Sequence, residues 1–260
     1  MRAVGLHPDV VVVTSRIWQT NCTFVRNGDE AFLIDSPVLP DELEALPVVM
    51  EQAQLGPLKG LLVTHADWDH LLGRYAFPDA PLGCGETTAA RLTAEPGAAQ
   101  RELRAFDEEH YVQRPRPLSL PGVQALPVPG FCALGDGEIE CHPADGHTAD
   151  GTAYLIPWAQ VLVCGDYLSP VEIPWIGAGG DVGAYLATLA RLRLLVEASK
   201  MVVSGHGAPQ PSESALEILD ADVAYLEALL ESGSAAALPD GRTTGAQRKI
   251  HAQNVARVAG

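Results

Sequence analysis

The sequence predicts an α/β protein, a four-layer αββα sandwich in which two mixed β-sheets pack face to face and carry helices on their outer sides. Two observations lead to this prediction. Strands are followed by helices in the N-terminal half, and the same order returns in the C-terminal half. A proline-rich stretch at 114–130 separates the halves. If each half places its helices outside its own sheet, packing the sheets together buries both inner faces.

The first half opens with strand-like apolar segments. VVVVTS at 10–15 precedes two apolar runs that flank Asn27-Gly28, and Asn-Gly between such runs is a strong β-hairpin signal. The other elements predicted from apolar runs, caps and Gly/Pro breaks are a helix at about 40–54, a strand at 59–64, an apparent helix at 69–77, and two helical pieces within 86–112 divided at Pro96-Gly97.

The second half repeats the pattern and adds a terminal helix. Its predicted elements are strands within 137–148, 152–158 and 160–166, a helix at 181–198, a strand at 200–207, and helices at about 212–231 and 246–258. We expect residues 1–232 to form the αββα domain. Residues 233–260 are expected to form a flexible stretch and a helix that packs on the domain or on a partner subunit.

Composition and charge limit the class of protein. The chain has 260 residues, 47 % hydrophobic and 19 % charged, a balance typical of a globular protein with a full core. Acidic residues outnumber basic ones 33 to 17, which gives a formal charge of −16. Such a surface repels nucleic acid phosphates and anionic lipids, so we expect neither a nucleic acid nor a membrane partner.

We expect a cytoplasmic location. His7, Pro8 and Asp9 interrupt the apolar N-terminal segment, which therefore lacks the core of a signal peptide. No apolar run approaches the length of about 20 residues that spans a bilayer. The five cysteines show no CxxC spacing, which favours reduced thiols.

Histidine and aspartate, two residue types that bind metals, occur where several apolar runs end. THADWDH follows a predicted strand and places two histidines and two aspartates within six positions. VLVCGD and MVVSGHG are two further strand-like runs that end in such residues, and DGHTADG lies between strands. Loops at strand ends can converge at one rim of a sandwich. The residues that these four segments contribute are His65, Asp67, Asp69, His70, His147, Asp166 and His206.

The spacing within THADWDH suits two metals. In an extended segment, His65 and Asp67 are two positions apart and face the same side. Asp69 and His70 begin the apparent helix, which Asp69 could also cap. One loop can therefore offer two ligands to each of two ions. Glycines that let the backbone approach closely accompany the other candidates, at Gly146, Gly165, Gly205 and Gly207.

As a set, these residues resemble the metallo-β-lactamase superfamily, the αββα metallohydrolases that include glyoxalase II, quorum-signal lactonases and RNase Z. The family pattern is HxHxDH, a glycine-flanked His, an Asp after a strand and a late His. This chain has HxDxDH and matches six of seven positions in type and order, over about residues 10 to 210. The resemblance implies a first metal held by His65, Asp67 and His147, a second held by Asp69, His70 and His206, and Asp166 bridging the two.

The resemblance also implies a mechanism. A water or hydroxide between two divalent ions would be the nucleophile, because zinc lowers the pKa of bound water from about 15.7 to about 7. Asp69 would orient the nucleophile or shuttle its proton. We therefore predict Asp69, Asp166 and Tyr167 as catalytic residues, with Tyr167 binding a substrate oxygen because it directly follows the bridging aspartate.

Asp67 is the departure from the family pattern. With histidine there, two divalent ions, two carboxylates and a hydroxide sum to +1, and aspartate brings the sum to zero. A less positive site is a weaker Lewis acid, and a carboxylate favours harder ions such as manganese or iron. The resembling flavodiiron proteins have HxExDH and bind two irons, but they need a flavodoxin-like domain that does not fit here. Aspartate is one methylene shorter than glutamate, so a position outside the metal shell stays open.

Several other residues have both a functional and a structural interpretation. Trp18, Trp68 and Trp175 either wall a substrate pocket or pack at its rim. The terminal helix carries two candidates, His251 and Asn254, which either reach the site or belong to a docked or dimer-forming helix. The residues that we expect to be structural or superficial are His7, His110, His142 and the buried thiol of Cys164.

We expect a metal-dependent hydrolase that attacks an ester, thioester or lactone bond of a small molecule. Two divalent ions, most readily zinc, would serve as cofactors, and a homodimer is possible. An alternative is a non-haem iron oxidoreductase that uses the same residues for oxygen, nitric oxide or sulfur chemistry. A further alternative is a metal-binding protein without catalysis.

Overall fold

A computed structural model describes residues 1–120 and 122–259 and shows the predicted αββα sandwich. Within these residues, thirteen strands form two mixed sheets and seven α-helices accompany them. Pro121, in the proline-rich stretch, and Gly260, at the end of the predicted terminal segment, lie outside the described residues. The predicted fold class is confirmed.

The first sheet contains the N-terminal strands. They are β1 Arg2–His7, β2 Val10–Thr14, β3 Asn21–Asn27, β4 Glu30–Asp35, β5 Leu58–Val63, β6 Leu82–Gly85 and β7 Val123–Leu126. The strands follow one another across the sheet in chain order. Neighbours are antiparallel from β1 to β4 and parallel from β4 to β7.

The second sheet contains the remaining strands. They are β8 Gly130–Leu134, β9 Gly137–Pro143, β10 Thr152–Ile156, β11 Val161–Val163, β12 Met201–Val203 and β13 Gln210–Pro211. These strands also follow one another across the sheet in chain order. Only β11 and β12 are parallel among the described neighbours, because a crossover helix, Val182–Glu197, connects them.

The helices agree with the sequence prediction except in one place. They are α1 Pro40–Gln52, α2 Gly73–Ala76, α3 Glu86–Ala94, α4 Ala98–His110, α5 Val182–Glu197, α6 Ser212–Ser232 and α7 Gly245–Ala259. The prediction of one helix over 69–77 is wrong, because a 3₁₀ turn at Trp68–His70 precedes the single turn of α2. Asp69 lies inside that turn and does not cap it. Among the described residues, no helix combines the length and the apolar character that crossing a membrane requires.

Three apolar clusters fill the spaces between the four layers. Along β2, Val10 and Val12 face the second sheet, whereas Val13 faces the side covered by α1 and α4, as the two-residue period of a strand dictates. A third cluster lies between the second sheet and helices α5 and α6. Helix α7 adds to this last cluster through Ile250, Val255 and Val258.

Candidate metal centre

The candidate site lies at the carboxyl ends of the central strands of both sheets. His65 follows β5, Asp166 follows β11 and His206 follows β12, so each side chain emerges from a rigid strand. Hydrogen bonds join the two sheets here. Thr152 N–H donates to the Thr64 carbonyl at 2.8 Å, and an equivalent bond from Asn21 N–H reaches the Gly205 carbonyl at 2.7 Å.

All seven residues predicted from the sequence meet at this point. They form three groups whose nitrogen and carboxylate oxygen atoms lie within 4.8 Å of one another. We call the seven residues the cluster. The first half-site is His65, Asp67 and His147, and the second half-site is Asp69, His70 and His206, as the resemblance implies. Their role as metal ligands stays a prediction that this geometry supports.

In the first half-site, the short side chain of Asp67 reaches the histidines. Its Oδ2 lies 3.5 Å from His147 Nε2 and 3.7 Å from His65 Nε2. Two donor atoms that each lie about 2.1 Å from a tetrahedral zinc ion are about 3.4 Å apart. These separations therefore suit three donors around one ion, and they argue against a position of Asp67 outside the metal shell.

The second half-site has the same form. Asp69 Oδ2 lies 3.5 Å from His206 Nε2 and 3.8 Å from His70 Nε2. All three residues are buried. A second small ion fits between these atoms by the same comparison of distances.

Asp166 faces both half-sites with one oxygen each. Its Oδ1 lies 3.2 Å from His70 Nε2 and 3.4 Å from His206 Nε2. Its Oδ2 lies 3.4 Å from His147 Nε2 and 3.7 Å from His65 Nε2. A carboxylate placed in this way can bridge two ions.

Several polar atoms of the cluster are buried without a hydrogen-bond partner among the described residues. Four of them face one another, namely the Nε2 atoms of His65, His70 and His147 and the Oδ1 of Asp166, and His70 Nδ1, beside Asp35, is a fifth. Buried polar groups are nearly always paired, so four unpaired atoms that face one another need an explanation. A pair of metal ions supplies one, and the residues present fit it.

In three of the four histidines, the other ring nitrogen is held by a neighbouring group. Nδ1 lies 2.8 Å from the Trp175 carbonyl in His147 and 3.1 Å from the Trp18 carbonyl in His206. In His65 it lies 3.0 Å from the Thr64 hydroxyl. Such contacts fix the ring and direct Nε2 into the cluster, as in known metal sites.

His70 lies beside Asp35, a residue that the sequence analysis missed. Asp35 Oδ2 lies 3.1 Å from His70 Nδ1. The same carboxylate accepts hydrogen bonds from the backbone N–H and the hydroxyl of Thr64, at 2.8 and 2.9 Å. Asp35 has a left-handed backbone with φ of 59°, a conformation that costs energy and concentrates at functional sites. A signal was present: Asp35 ends the apolar run AFLID, as Asp166 ends VLVCGD.

Two of the glycines beside the cluster are required by close approach. A Cβ at Gly205 would overlap Asp166 Oδ1. Gly146 has φ of 119°, and a Cβ there would overlap the backbone of Tyr185. The predicted reason for these glycines is confirmed.

Arg91 and Asp150 adjoin the first half-site and were also missed. Arg91, on α3, lies 2.8 Å from Asp67 Oδ1 and 2.8 Å from Asp150 Oδ1. Burial lowers the pKa of Arg91, but the charges of Asp67 and Asp150 outweigh this effect and raise it. The guanidinium is therefore a permanent positive charge beside the cluster.

Without metal, protons take the place of the ions. Burial lowers the pKa of His147, but Asp67 and Asp166 outweigh it and raise that pKa to about 9. Burial likewise lowers the pKa of His206, while Glu172 and Asp166 raise it to about 10. Burial raises the pKa of Asp166, yet the charged histidines, His206 first, hold it well below its usual value. The cluster thus binds positive charge in either state.

A cavity of about 380 Å³ opens over the cluster, within the size range of small-molecule sites. Trp18, Trp68 and Trp175 line it, which agrees with their interpretation as pocket walls. Other lining residues that the sequence analysis missed are Glu102, Glu172 and, from α7, Gln247, Lys249, Ile250 and Gln253. A groove of about 780 Å³ beside α4 is larger, but none of the cluster residues lines it.

The structure contradicts a substrate contact for Tyr167. Its ring is buried and packs against Tyr185, with 4.5 Å between the ring centroids. Its hydroxyl donates to the Asp145 carbonyl at 2.7 Å and accepts from His147 N–H at 3.0 Å. Tyr167 therefore supports the loop that carries His147, and it does not line the cavity over the cluster.

The remaining candidates lie away from the cluster. Asn254 holds the loop before α5, since its amide accepts from Ile176 N–H and donates to the Pro174 carbonyl. His251 contacts the Tyr225 hydroxyl at 3.0 Å. Cys164 is buried, and burial raises the pKa of its thiol, which agrees with a structural role. The three histidines that contact only local groups are His7, His110 and His142.

Comparison with known proteins agrees with this fold. The chain is similar to the metallo-beta-lactamase family protein TTHA1429 from Thermus thermophilus, with a TM-score of 0.70 and 21 % identity over 97 % of this chain and 92 % of that one. It is similar to TTHA1623 in a di-iron-bound form, with a TM-score of 0.61 and 24 % identity over 80 % of this chain and 97 % of that one.

The DIM-1 metallo-beta-lactamase is a third similar structure, with a TM-score of 0.61 and 16 % identity over 84 % of this chain and 95 % of that one. No curated protein sequence matches the chain significantly. The family model of the metallo-beta-lactamase superfamily matches residues 16–206, a range that ends at the last residue of the cluster. The chain therefore belongs to the metallo-beta-lactamase superfamily.

Proposed function

We propose that this protein is a metal-dependent hydrolase with two divalent ions in the cluster, acting on an ester, thioester or lactone bond of a small molecule. The observation that carries the proposal is the position of Asp166. Its Oδ1 faces His70 of the second half-site, and its Oδ2 faces His147 of the first. The Nε2 atoms of both histidines are buried and have no hydrogen-bond partner among the described residues.

The chain and the ions would divide the chemistry between them. When bound, the ion pair would lower the pKa of a water molecule and polarise the carbonyl oxygen of the substrate. Asp69 belongs to the second half-site and also lines the cavity. Its carboxylate can accept a proton from the attacking water and return it to the leaving group. The histidines, held through Nδ1, keep the cluster rigid during the reaction.

The cavity supports a small substrate with an apolar part. Trp18, Trp68 and Trp175 provide large apolar surfaces beside the cluster. Lys249, on α7, brings a positive charge to the wall of the cavity. An acyl compound of modest size fits these walls, with its carbonyl toward the cluster and its apolar group against the indoles.

A second candidate is an oxidoreductase with two irons. Its support is the carboxylate content of the cluster, in which Asp67, Asp69 and Asp166 provide three oxygen donors. Oxygen donors favour harder ions than an imidazole-rich site does. A similar structure, that of TTHA1623, is described as di-iron-bound.

Metal analysis followed by activity measurements tests both candidates. We would purify the chain without added metal, measure its metals, and then supply zinc, manganese or iron(II). Hydrolysis would be measured on aryl esters, thioesters, lactones and a β-lactam, and oxygen consumption would be measured on the iron-loaded protein. We expect two ions per chain and hydrolysis of at least one ester, thioester or lactone.

Matched variants assign the activity to the cluster. His206→Gln removes a histidine of the cluster, whereas His142→Gln removes one that contacts only Glu140. We expect the first variant to lose activity and the second to keep it. Oxygen consumption by the iron-loaded protein without hydrolysis would favour the second candidate. Two bound ions with neither activity would favour a metal-binding protein without catalysis.

A further inference from the structure

Arg91 connects two carboxylates at the first half-site. Its two terminal nitrogens lie 2.8 Å from Asp67 Oδ1 and 2.8 Å from Asp150 Oδ1. Its side chain is 17 % exposed, so solvent weakens these contacts less than at an open surface. A planar guanidinium can hold two carboxylates in fixed directions, which a lysine ammonium cannot do.

Asp150 fixes the other end of this connection. It is buried, and its Oδ2 accepts from the backbone N–H of Ala66, between two residues of the first half-site. Its Oδ1 also accepts from the hydroxyl of Thr148, next to His147. Asp150 therefore ties Arg91 to both loops that carry the first half-site.

The consequence for Asp67 is that its two oxygens are used differently. Oδ1 is held by Arg91, whereas Oδ2 faces the histidine nitrogens at 3.5 and 3.7 Å. With Oδ1 engaged, the carboxylate can offer an ion one oxygen. Together with two imidazoles, one oxygen of Asp166 and the attacking water, this makes five donors, a number that catalytic zinc accepts.

The charge sum from the sequence is not changed by the residues that adjoin the first half-site. That sum placed a net charge of zero at the cluster because of Asp67, and it omitted both Arg91 and Asp150, whose opposite charges cancel. The guanidinium places its positive charge directly on Asp67. The second carboxylate on Arg91, Asp150, is further stabilised by Ala66 and Thr148.

We propose that Arg91 is a positioning residue that keeps Asp67 a one-oxygen ligand and thereby makes the first half-site, with five donors, favour zinc over manganese, which prefers six. Without Arg91, Asp67 could turn and offer both oxygens to one ion. Larger coordination numbers and oxygen donors suit manganese and iron(II) better than zinc. The inference rests on the metal pair of the proposed function.

Arg91→Gln tests this role through metal binding. The metal-free variant would be offered equal concentrations of zinc and manganese, and bound metal would be measured after equilibration. Because loss of a group that orients a ligand costs about 10- to 100-fold in metal affinity, we expect weaker zinc binding of that size and a higher share of manganese. Cobalt(II)-loaded protein should lose visible absorption, since five-coordinate cobalt absorbs more strongly than six-coordinate cobalt.

One background and one control variant make the test specific. In Asp67→His there is no second oxygen to restrain, so adding Arg91→Gln should change zinc affinity by no more than about twofold, as for independent sites. Arg26→Gln is the matched control, because Arg26 pairs with Asp9 far from the cluster. It should keep the zinc preference and the cobalt spectrum of the unchanged protein.

The possible outcomes are distinguishable. A folded Arg91→Gln with unchanged zinc preference and cobalt spectrum would overturn the role of Arg91, as would an equally large effect in the Asp67→His background. If Arg91→Gln does not fold, Arg91→Lys decides, and unchanged selectivity in that variant would overturn the role of the planar group. If the unchanged protein binds no metal, the proposed function itself fails.

Discussion

The two half-sites have the same composition, one aspartate and two histidines, but different surroundings. In the first, Asp67 is fixed by Arg91 and, through it, by Asp150. In the second, no cation outside the cluster pairs with Asp69 among the described residues, and the fixed residue is His70, beside Asp35. A restrained carboxylate suits a structural ligand, whereas an unrestrained one beside the cavity can also move a proton. From these surroundings we expect the two aspartates of one heptapeptide to have different tasks.

Asp166→Asn removes the element common to both half-sites and should have the largest effect. The neutral amide bridges two cations poorly, so we expect fewer than two ions per chain. Because metal ions contribute several kcal/mol to catalysis, kcat/KM for the hydrolysed substrate should fall by about 10³-fold or more. Elemental analysis and steady-state kinetics measure these effects.

Asp145→Asn is the control for this change, since Asp145 pairs with Arg191 outside the cluster. It should keep both ions. Full metal content together with full activity in Asp166→Asn would contradict the bridging role and would leave the half-sites independent.

Asp35→Asn tests whether the second half-site depends on its own supporting carboxylate. The change weakens the contact to His70 Nδ1, and we expect zinc affinity there to fall about 10- to 100-fold. The titration should be done in the His147→Gln background, where only the second half-site stays complete. Asp41→Asn, at an exposed pair with Arg16, is the control. Unchanged affinity would show that the ring needs no support from Asp35.

The metal-free protein should lose stability as the pH rises from 6.5 to 10. The folded-state pKa values of His147 and His206, about 9 and about 10, lie above the ordinary histidine value of 6.5. Their protonation therefore stabilises the fold fully below pH 6.5, and the effect is lost as the pH passes the folded values. We expect the Tm to fall by more than about 5 °C, since about 1 kcal/mol corresponds to 2–4 °C in a chain of this size.

Added zinc should reverse this trend, because metal and protons compete for the same nitrogens. Differential scanning calorimetry with chelator and with zinc would measure both curves. The doubly substituted His147→Gln, His206→Gln protein should show a smaller fall without metal. An equally steep fall in that variant would assign the pH dependence to other groups.

Tyr167→Phe should have the smallest effect and separates support from substrate contact. The change leaves the buried N–H of His147 without its acceptor, at a cost of about 1–3 kcal/mol. We expect a lower Tm and an unchanged KM. Tyr111→Phe, at a side chain that is 93 % exposed, should change neither. A raised KM with an unchanged Tm would restore Tyr167 as a substrate contact.

The fold and the cluster could be predicted from the sequence for the same reason, because both produce patterns within short segments of the chain. Apolar runs marked the central strands, and the candidate ligands came directly after them. Short strands such as β6 and β7 were missed because a few residues containing glycine or lying among prolines give no periodic signal.

The supporting residues could not be predicted in this way. Arg91 and Asp150 lie 59 positions apart, and each is an ordinary charged residue in its own segment. Their contact with each other and with Asp67 exists only in the folded protein, where α3 and the loop after β9 meet. Tyr167 failed as a prediction for the converse reason, because adjacency to Asp166 in the chain says nothing about the direction of its side chain.

Helix α7 connects the wall of the cavity to the loop that holds His147. One face lines the cavity with Lys249 and Ile250. Gln247 and Asn254 of the same helix accept hydrogen bonds from Ile173 N–H and Ile176 N–H, and the loop so held carries the Trp175 carbonyl that orients His147. If this helix were replaced by one from a related chain, substrate specificity would change without disturbing His147 only if the new helix kept the amides of Gln247 and Asn254.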